Sequence, residues 1–179
     1  MLKRLTAWLV VAIAIVLQGC VATGAGLKAY VVSYDGYQFY YPNGWTEVSV
    51  AGAADVVFHD IVNETENVSV VISDVPDGKT LEELGSPTDV GYKLSKSINV
   101  MAGDDRDVQL ITAQAITKDE KTYYILEYIA DLPSGVRHNL ASVIVQRGKL
   151  FTFNASTPES RWEKIKDFIK QSVASFAVS

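Results

Sequence analysis

The sequence predicts an α+β fold in which an antiparallel β-sheet is sandwiched between helices. Three observations predict it. Short β-branched or aromatic runs recur with tight turns between them, one run is apolar on both faces, and two amphipathic segments are available to cover a sheet. A chain of 179 residues suits one domain with a single sizeable core.

The first strands are predicted from three runs. The aromatic run YQFYYP at 37–42 is followed by an Asn43-Gly44 turn. The β-branched runs at 55–61 and 67–75 are separated by a short polar stretch, which is typical of a β-hairpin. Four further runs extend the sheet, at 107–118, 122–132, 137–147 and 150–156.

The run at 122–132 decides the architecture because both of its faces are largely apolar. One face carries Tyr124, Leu126, Tyr128 and Ala130, and the other carries Tyr123, Ile125, Glu127 and Ile129. We therefore expect both faces of the sheet to be covered. The consecutive hairpins make that sheet antiparallel.

Two helices are predicted to provide the cover. The first begins with Ser86 as N-cap and Pro87 as first helical residue, and it runs to about Met101. Its apolar stripe comprises Val90, Leu94 and Ile98. The second is expected to begin at Thr157-Pro158-Glu159, with one apolar face. That face comprises Trp162, Ile165, Ile169, Val173 and Phe176.

The single cysteine, Cys20, directly follows an N-terminal segment with the pattern of a leader. An unpaired cysteine can be a core residue, half of an intermolecular disulfide or a nucleophile. Here Lys3 and Arg4 precede an apolar run of 13 residues, which is shorter than the roughly 20 residues that a membrane-spanning helix needs. Leu17-Gln18-Gly19-Cys20 resembles the lipobox of bacterial lipoproteins, so we interpret residues 1–19 as a lipoprotein signal peptide and expect Cys20 to be lipidated.

The mature chain would then consist of a tether and one domain. Residues 20–29 are small and glycine-rich, which is typical of a flexible tether, and 30–179 form the domain. Without the leader, 14 basic and 21 acidic residues leave a formal charge of −7. This acidic balance argues against nucleic acid as a partner, and membrane attachment is expected to come from the lipid alone.

The sequence offers little for catalysis. It has two histidines, His59 and His138, and lacks a Gly-x-Ser-x-Gly elbow, a phosphate-binding glycine loop and a His-Glu-x-x-His motif. His59 is interpreted as a partly buried strand residue. The acidic stretch at 103–107 lacks the spacing of an EF-hand calcium loop and is interpreted as solvated.

His138 and Glu159 are the candidate site residues. Gly148-Lys149 has the glycine-first pattern of a type II′ turn, and this turn would place His138 opposite Glu159. Imidazole and carboxylate at close range can bind zinc or manganese. The same proximity also fits a structural ion pair that joins the end of the hairpin to the start of the helix.

Five segments, in order, resemble the PsbP family of photosystem II extrinsic proteins, from about Tyr34 to Ser179. They are YQFYYPNGW, LEELGSPTDVGYKLSKSINV, YYILEYI, HNLASVIVQRGKLFTFNAS and RWEKIKDFIKQSVASFAV. With the lipobox, the chain is similar to the cyanobacterial lipoprotein members of that family. The resemblance implies an antiparallel sheet between helices, on the lumenal side of the thylakoid membrane.

The resemblance also implies partners and ligands. Plant members bind the lumenal face of photosystem II and help to retain its calcium and chloride, whereas cyanobacterial members are more like assembly or stability factors. A histidine matching His138 and an acid before Arg161-Trp162 are associated with manganese or zinc in the family. This chain has a glutamate where plants have aspartate and lacks their long polar N-terminal arm, which favours the assembly role.

Three functions are compatible with these observations. The first is a non-enzymatic, lipid-tethered accessory protein that docks on photosystem II or its assembly intermediates. The second is a lipoprotein that stores or delivers zinc, manganese or calcium through His138 and Glu159. The third, an envelope hydrolase, would depend on one of the two histidines.

Overall fold

The computed structural model describes residues 26–50, 52, 54–102 and 107–179. The predicted leader, Cys20, the first part of the tether and residues 103–106 of the acidic stretch lie outside these residues. Strand β1 (Leu27–Val32) pairs with β2 (Tyr37–Pro42) from Leu27 onward. The ordered sheet thus begins three residues before the predicted domain start at Tyr30, and residues 27–29 belong to β1 rather than to a tether.

The main sheet confirms the predicted antiparallel architecture. Its strands are β3 (Trp45–Val48), β4 (Ala54–Asp60), β5 (Asn67–Asp74), β6 (Asp107–Lys118), β7 (Lys121–Leu132), β8 (Gly135–Gln146) and β9 (Lys149–Pro158). They lie in the order β3-β4-β5-β9-β8-β7-β6, and all neighbours are antiparallel. Six of the predicted runs match β4 to β9 to within a few residues. Strand β3 was not predicted, and the run at 37–42 forms β2 outside this sheet.

A second, three-stranded sheet was not predicted. Its order is β1-β2-β10, in which β10 (Ala177–Val178) pairs with the start of β2. Tyr37 and Phe39 of β2 are buried against the main sheet. Two residues are too few to show a strand pattern, so β10 exists because the chain after the last helix packs beside β2.

Three α-helices and two 3₁₀ helices cover the sheet within the described residues. They are a 3₁₀ helix at Pro76–Gly78, α1 (Leu81–Leu84), α2 (Pro87–Ala102), a 3₁₀ helix at Glu159–Arg161 and α3 (Trp162–Ser175). The predicted Ser86 cap is confirmed, because its hydroxyl accepts from the Asp89 N–H at 3.2 Å. The side chains of Ile98 and Met101 lie outside the described part of the chain. In that part, no helix is both long and apolar enough to cross a membrane.

The two faces of the main sheet carry separate cores, as the run at 122–132 predicted. One core lies beneath α1 and α2, where Leu126 is fully buried with Tyr124 and Val90. The other lies between the main sheet, α3 and the small sheet, and Phe39, Phe153 and Phe176 are at most 1% exposed there. Four predicted residues of α3, together with Phe176 directly after it, belong to this second core: Trp162, Ile165, Ile169 and Val173.

The β8–β9 turn differs from the predicted one. Gln146 pairs with Lys149, so the two loop residues are Arg147 and Gly148. Both have positive φ, 55° and 74°, which is the type I′ geometry and not type II′. The register therefore shifts, and His138 lies opposite Thr157 instead of Glu159.

Helix α3 begins later than predicted. Thr157 and Pro158 continue strand β9 because they pair with His138 and Arg137. Pro158 keeps an extended ψ of 137°, and a 3₁₀ turn precedes Trp162. The cap-like residues thus end a strand, since the ladder with β8 holds their backbone extended.

Candidate functional site

Strand β8 and the 3₁₀ turn bring the predicted pair together despite the shifted register. His138 lies in the ladder between β7 and β9, opposite Ile129 and Thr157. The 3₁₀ turn carries Glu159 back over the strand, so its Oε2 lies 2.8 Å from His138 Nδ1. The proximity expected from the sequence is therefore present, although it arises from the turn and not from a ladder pair.

A second carboxylate contacts the same imidazole. Glu127 Oε1 of β7 lies 2.8 Å from His138 Nε2. We call His138, Glu127, Glu159 and Trp162 the His138 cluster. Both ring nitrogens face carboxylates, and both hydrogen bonds form together when both nitrogens donate, as in the protonated imidazole.

Trp162 closes the cluster from the helix side. Its indole lies parallel to the His138 ring, with centroids 3.6 Å apart and 9° between the planes. His138 is 5% exposed and Trp162 is 8% exposed. The Lys170 ammonium lies 6.0 Å from the indole centroid. The imidazole is therefore held on three sides, while the Glu159 side chain stays 42% exposed at the surface.

A buried ion pair supports the turn that carries Glu159. The side chain of Glu66, on the loop before β5, is 2% exposed and accepts from Arg161 Nε. Thr157 Oγ1 donates to the same carboxylate at 3.3 Å. The hydrogen bond with Glu66 raises the pKa of the Arg161 guanidinium. This pair fixes the 3₁₀ turn to the neighbouring loop.

The structure does not assemble a ready metal centre. Among the residues it describes, no group of three or more histidine, cysteine, aspartate or glutamate side chains is arranged to hold a metal ion. The reason within the cluster is geometric, because Glu127 and Glu159 lie on opposite ring nitrogens of His138. A cation bound at one ring nitrogen would therefore be reached only by the carboxylate on that side. The other carboxylate would have to move to the same side of the ring to become a second ligand.

The other predicted histidine lies apart from the cluster. His59 lies on β4 opposite Thr46 and is partly buried. Cys20 lies outside the described residues. With both His138 nitrogens facing carboxylates, the arrangement differs from a hydrolase triad, in which one nitrogen must face a hydroxyl.

Sequence reasoning missed Glu127 and Glu66 as parts of the site. Glu127 is the one charged residue within the apolar run from 123 to 130, which is a signal that could have drawn attention to it. It lies two residues from Ile129, the ladder partner of His138, and hence on the same face. Glu66 carries no such signal, since it sits in a polar loop.

Comparison with known proteins decides the family. The PsbP family model matches residues 25–178, nearly all of the described chain. This chain belongs to the PsbP family. CyanoP of Thermosynechococcus vestitus is 49% identical over 183 residues, covering 99% of this chain and all of that protein. PsbP-like protein 1 of Arabidopsis thaliana is 36% identical over 86% of this chain and 65% of its own length.

A solved PsbP-family structure has the same fold. The solution structure of CyanoP from Synechocystis superposes with a TM-score of 0.75 at 44% identity, covering 90% of this chain and 98% of that one. The α+β fold with an antiparallel sheet is thus that of the PsbP family.

Proposed function

We propose that this PsbP-family protein is a non-enzymatic accessory or assembly protein of photosystem II. In this proposal a lipid on Cys20 holds it at the lumenal side of the cyanobacterial thylakoid membrane. The observation that carries the proposal is the 49% identity with CyanoP, which covers 99% of this chain and so extends into the predicted leader. The PsbP family match supports a photosystem-associated role.

The tether supplies a physical mechanism for such a role. Anchoring confines the domain to a thin layer above the bilayer, which raises its effective concentration toward a membrane-embedded client. A weak and reversible interface then suffices, as a transient assembly factor requires. The formal charge of −7 expected once the predicted leader is removed disfavours attraction to anionic lipid, which supports lipid anchoring as the means of attachment.

Co-isolation tests the proposal. The full-length protein, tagged at its C-terminus, is expressed in a cyanobacterium and purified from detergent-solubilised thylakoids. We expect photosystem II assembly intermediates to accompany it, and we expect alkaline washing to leave it on the membrane before detergent is added. Recovery in the outer membrane alone would contradict the proposal.

Divalent-cation binding is a second candidate, favoured by a partly exposed carboxylate, Glu159, beside Nδ1 of His138. Zinc and manganese accept imidazole with carboxylate, whereas calcium prefers oxygen ligands alone. Glu159 is the more exposed carboxylate, 42% against 22% for Glu127, and so is freer to move toward a cation. Such a site would make the protein a store or carrier for the ion.

Calorimetry with zinc, manganese and calcium separates this candidate from a structural ion pair. The His138→Ala/Glu159→Ala variant is expected to lose binding if the cluster holds the ion. His59→Ala removes the other histidine and serves as the matched control, which should bind as the parent does. Equal binding by all three proteins would place the site elsewhere.

A further inference from the structure

The described chain begins at the same end of the molecule as the β4–β5 loop. The Gly26 carbonyl accepts from the Asn43 N–H at 2.7 Å. Trp45, two residues after Asn43, pairs with Asp60, the last residue of β4. The N-terminal segment therefore joins the domain close to where β4 runs into the loop at 61–66.

This end of the molecule exposes apolar side chains. Ile61 is 62% exposed and Val62 is 84% exposed, both in the β4–β5 loop, and Val136 at the start of β8 is 42% exposed. We call these three residues the apolar tip. The two segments are joined, because the neighbour of Val136, Arg137, donates to the carbonyl of Thr65 in the same loop.

The loop is held in shape by a carboxylate. Asp60 accepts from the Val62 N–H at 3.1 Å and from the Asn63 side-chain amide at 2.8 Å. Hydrogen bonding to Asn63 and to the Val62 backbone lowers the pKa of Asp60 despite its partial desolvation. The two apolar side chains are thus presented on a formed turn, so little ordering entropy is lost when they enter an apolar medium.

Chain length limits how far this end can stand from an anchor at Cys20. Six residue steps join Cys20 to Gly26, and a fully extended chain covers roughly 20 Å over that length. The opposite end of the domain lies farther away, because β8 has 12 residues and such a strand spans roughly 35–40 Å. The Arg147 side chain at that far end donates to the carbonyl of Asp35, beside Tyr34 in the β1–β2 turn.

We propose that the apolar tip is a membrane-docking surface that enters the interfacial layer of an electrically neutral lipid bilayer. The inference rests on the proposed lipidation of Cys20, which brings the bilayer within reach of this end. Transfer of short aliphatic side chains from water into that layer lowers the free energy. The acidic domain disfavours anionic headgroups, so the matching surface is neutral lipid.

Docking would give the tethered domain a fixed orientation. The tip lies against the bilayer, and the far end, including the 95% exposed Tyr34, points away from it. Glu159 lies next to Pro158, the ladder partner of Arg137, so the His138 cluster lies at the membrane-proximal end. A client embedded in the same membrane would contact the His138 cluster before the far end of the domain.

Site-specific labelling tests the proposal on the full-length lipidated protein. It is reconstituted in phosphatidylcholine vesicles that contain a nitroxide-bearing lipid. Because lipidation consumes the sulfur of Cys20, the variants Val62→Cys, Val136→Cys and Tyr34→Cys each carry one free thiol for an environment-sensitive fluorophore. Tyr34→Cys is the matched control, since it replaces an exposed apolar residue at the far end.

Quenching by the nitroxide lipid is expected to be several times stronger at positions 62 and 136 than at position 34. Adding Ile61→Ser and Val62→Ser to the Val136→Cys protein should reduce quenching at 136. Equal, weak quenching at all three positions of a lipidated protein would overturn the proposal and leave the proposed function intact. Crosslinking of position 62 to protein rather than lipid in native membranes would overturn it as well.

Mass spectrometry of the same samples distinguishes a failure of the docking proposal from a failure of the proposed function. The intact mass must show the acyl chains on Cys20 before the quenching result is used to judge docking. An unmodified Cys20 would contradict the lipid anchor of the proposed function, and the docking proposal would fail with it.

Discussion

The imidazole of His138 lies flat against the indole of Trp162, with 3.6 Å between the ring centroids. This contact joins β8, an interior strand of the main sheet, to the first residue of α3. The two carboxylates on the imidazole nitrogens extend the contact to β7 and to the 3₁₀ turn. One ring therefore couples four elements of the fold at the candidate site.

Truncation of Trp162 should weaken both the core and the cluster. Trp162→Ala removes a large side chain that is 8% exposed and is expected to cost about 3 kcal/mol of the free energy of unfolding. Trp162→Phe retains an aromatic face and should cost clearly less. Urea unfolding followed by circular dichroism measures both, and equal losses would show that the stacked ring contributes little.

The Glu66–Arg161 pair should respond unequally to removal of its two members. The Glu66 side chain is 2% exposed, whereas that of Arg161 is 33% exposed. Arg161→Met leaves a carboxylate buried without its cation, while Glu66→Gln leaves a guanidinium that reaches water. Thermal unfolding should therefore show a larger loss for Arg161→Met, and the reverse order would contradict the assigned burial.

The N-terminus of α2 should contribute a stability term that acid removes. The hydroxyl and backbone N–H of Ser86 donate to Asp89 and hold the pKa of its carboxyl below its usual 3.8. The folded state thus favours the ionised carboxylate. The stabilisation is therefore complete at pH values well above the usual pKa and is lost as the pH falls through the lowered pKa.

Asp89→Asn removes this term. Its stability deficit against the parent should be constant near neutral pH and should shrink in acid, as measured by urea unfolding at a series of pH values. Asp167→Asn, at an exposed position on α3, is the control. A deficit for Asp89→Asn that grows on acidification would contradict the linkage.

Two turn glycines should differ in their tolerance of a side chain. Gly148 has a φ of 74° and open space where a Cβ would lie, so Gly148→Ala is expected to cost about 1 kcal/mol from backbone strain. Gly36 has a similar φ of 68°, but its Cβ would lie 2.6 Å from Ser179 Oγ. Gly36→Ala should cost more and should loosen the C-terminus, which hydrogen exchange of the Ser179 amide reports.

Much of the fold could be predicted because its strands carry strong local signals. The runs that became β4 to β9 are β-branched or aromatic and are separated by short turns. In the small sheet only β2 carried such a signal, since β10 has two residues and β1 begins within a glycine-rich stretch. Its strands form because tertiary packing places the C-terminus beside β2.

The site was predicted in part, and the errors have physical causes. Arg147 adopts a positive φ that is uncommon for a residue with a Cβ, but its side chain is held by the Asp35 carbonyl and by the face of Phe151. This shifts the register by two residues. His138 and Glu159 still meet, because Pro158 directs the chain into a turn that returns over the strand.

Chemical crosslinking in intact thylakoid membranes, read by mass spectrometry, tests the central claim most directly. Exposed lysines such as Lys164 and Lys170 on α3 offer attachment points on the native protein. A membrane-tethered photosystem II accessory protein should form crosslinks to lumenal segments of photosystem II subunits or assembly intermediates. Crosslinks confined to envelope proteins, with none to photosystem II, would contradict it.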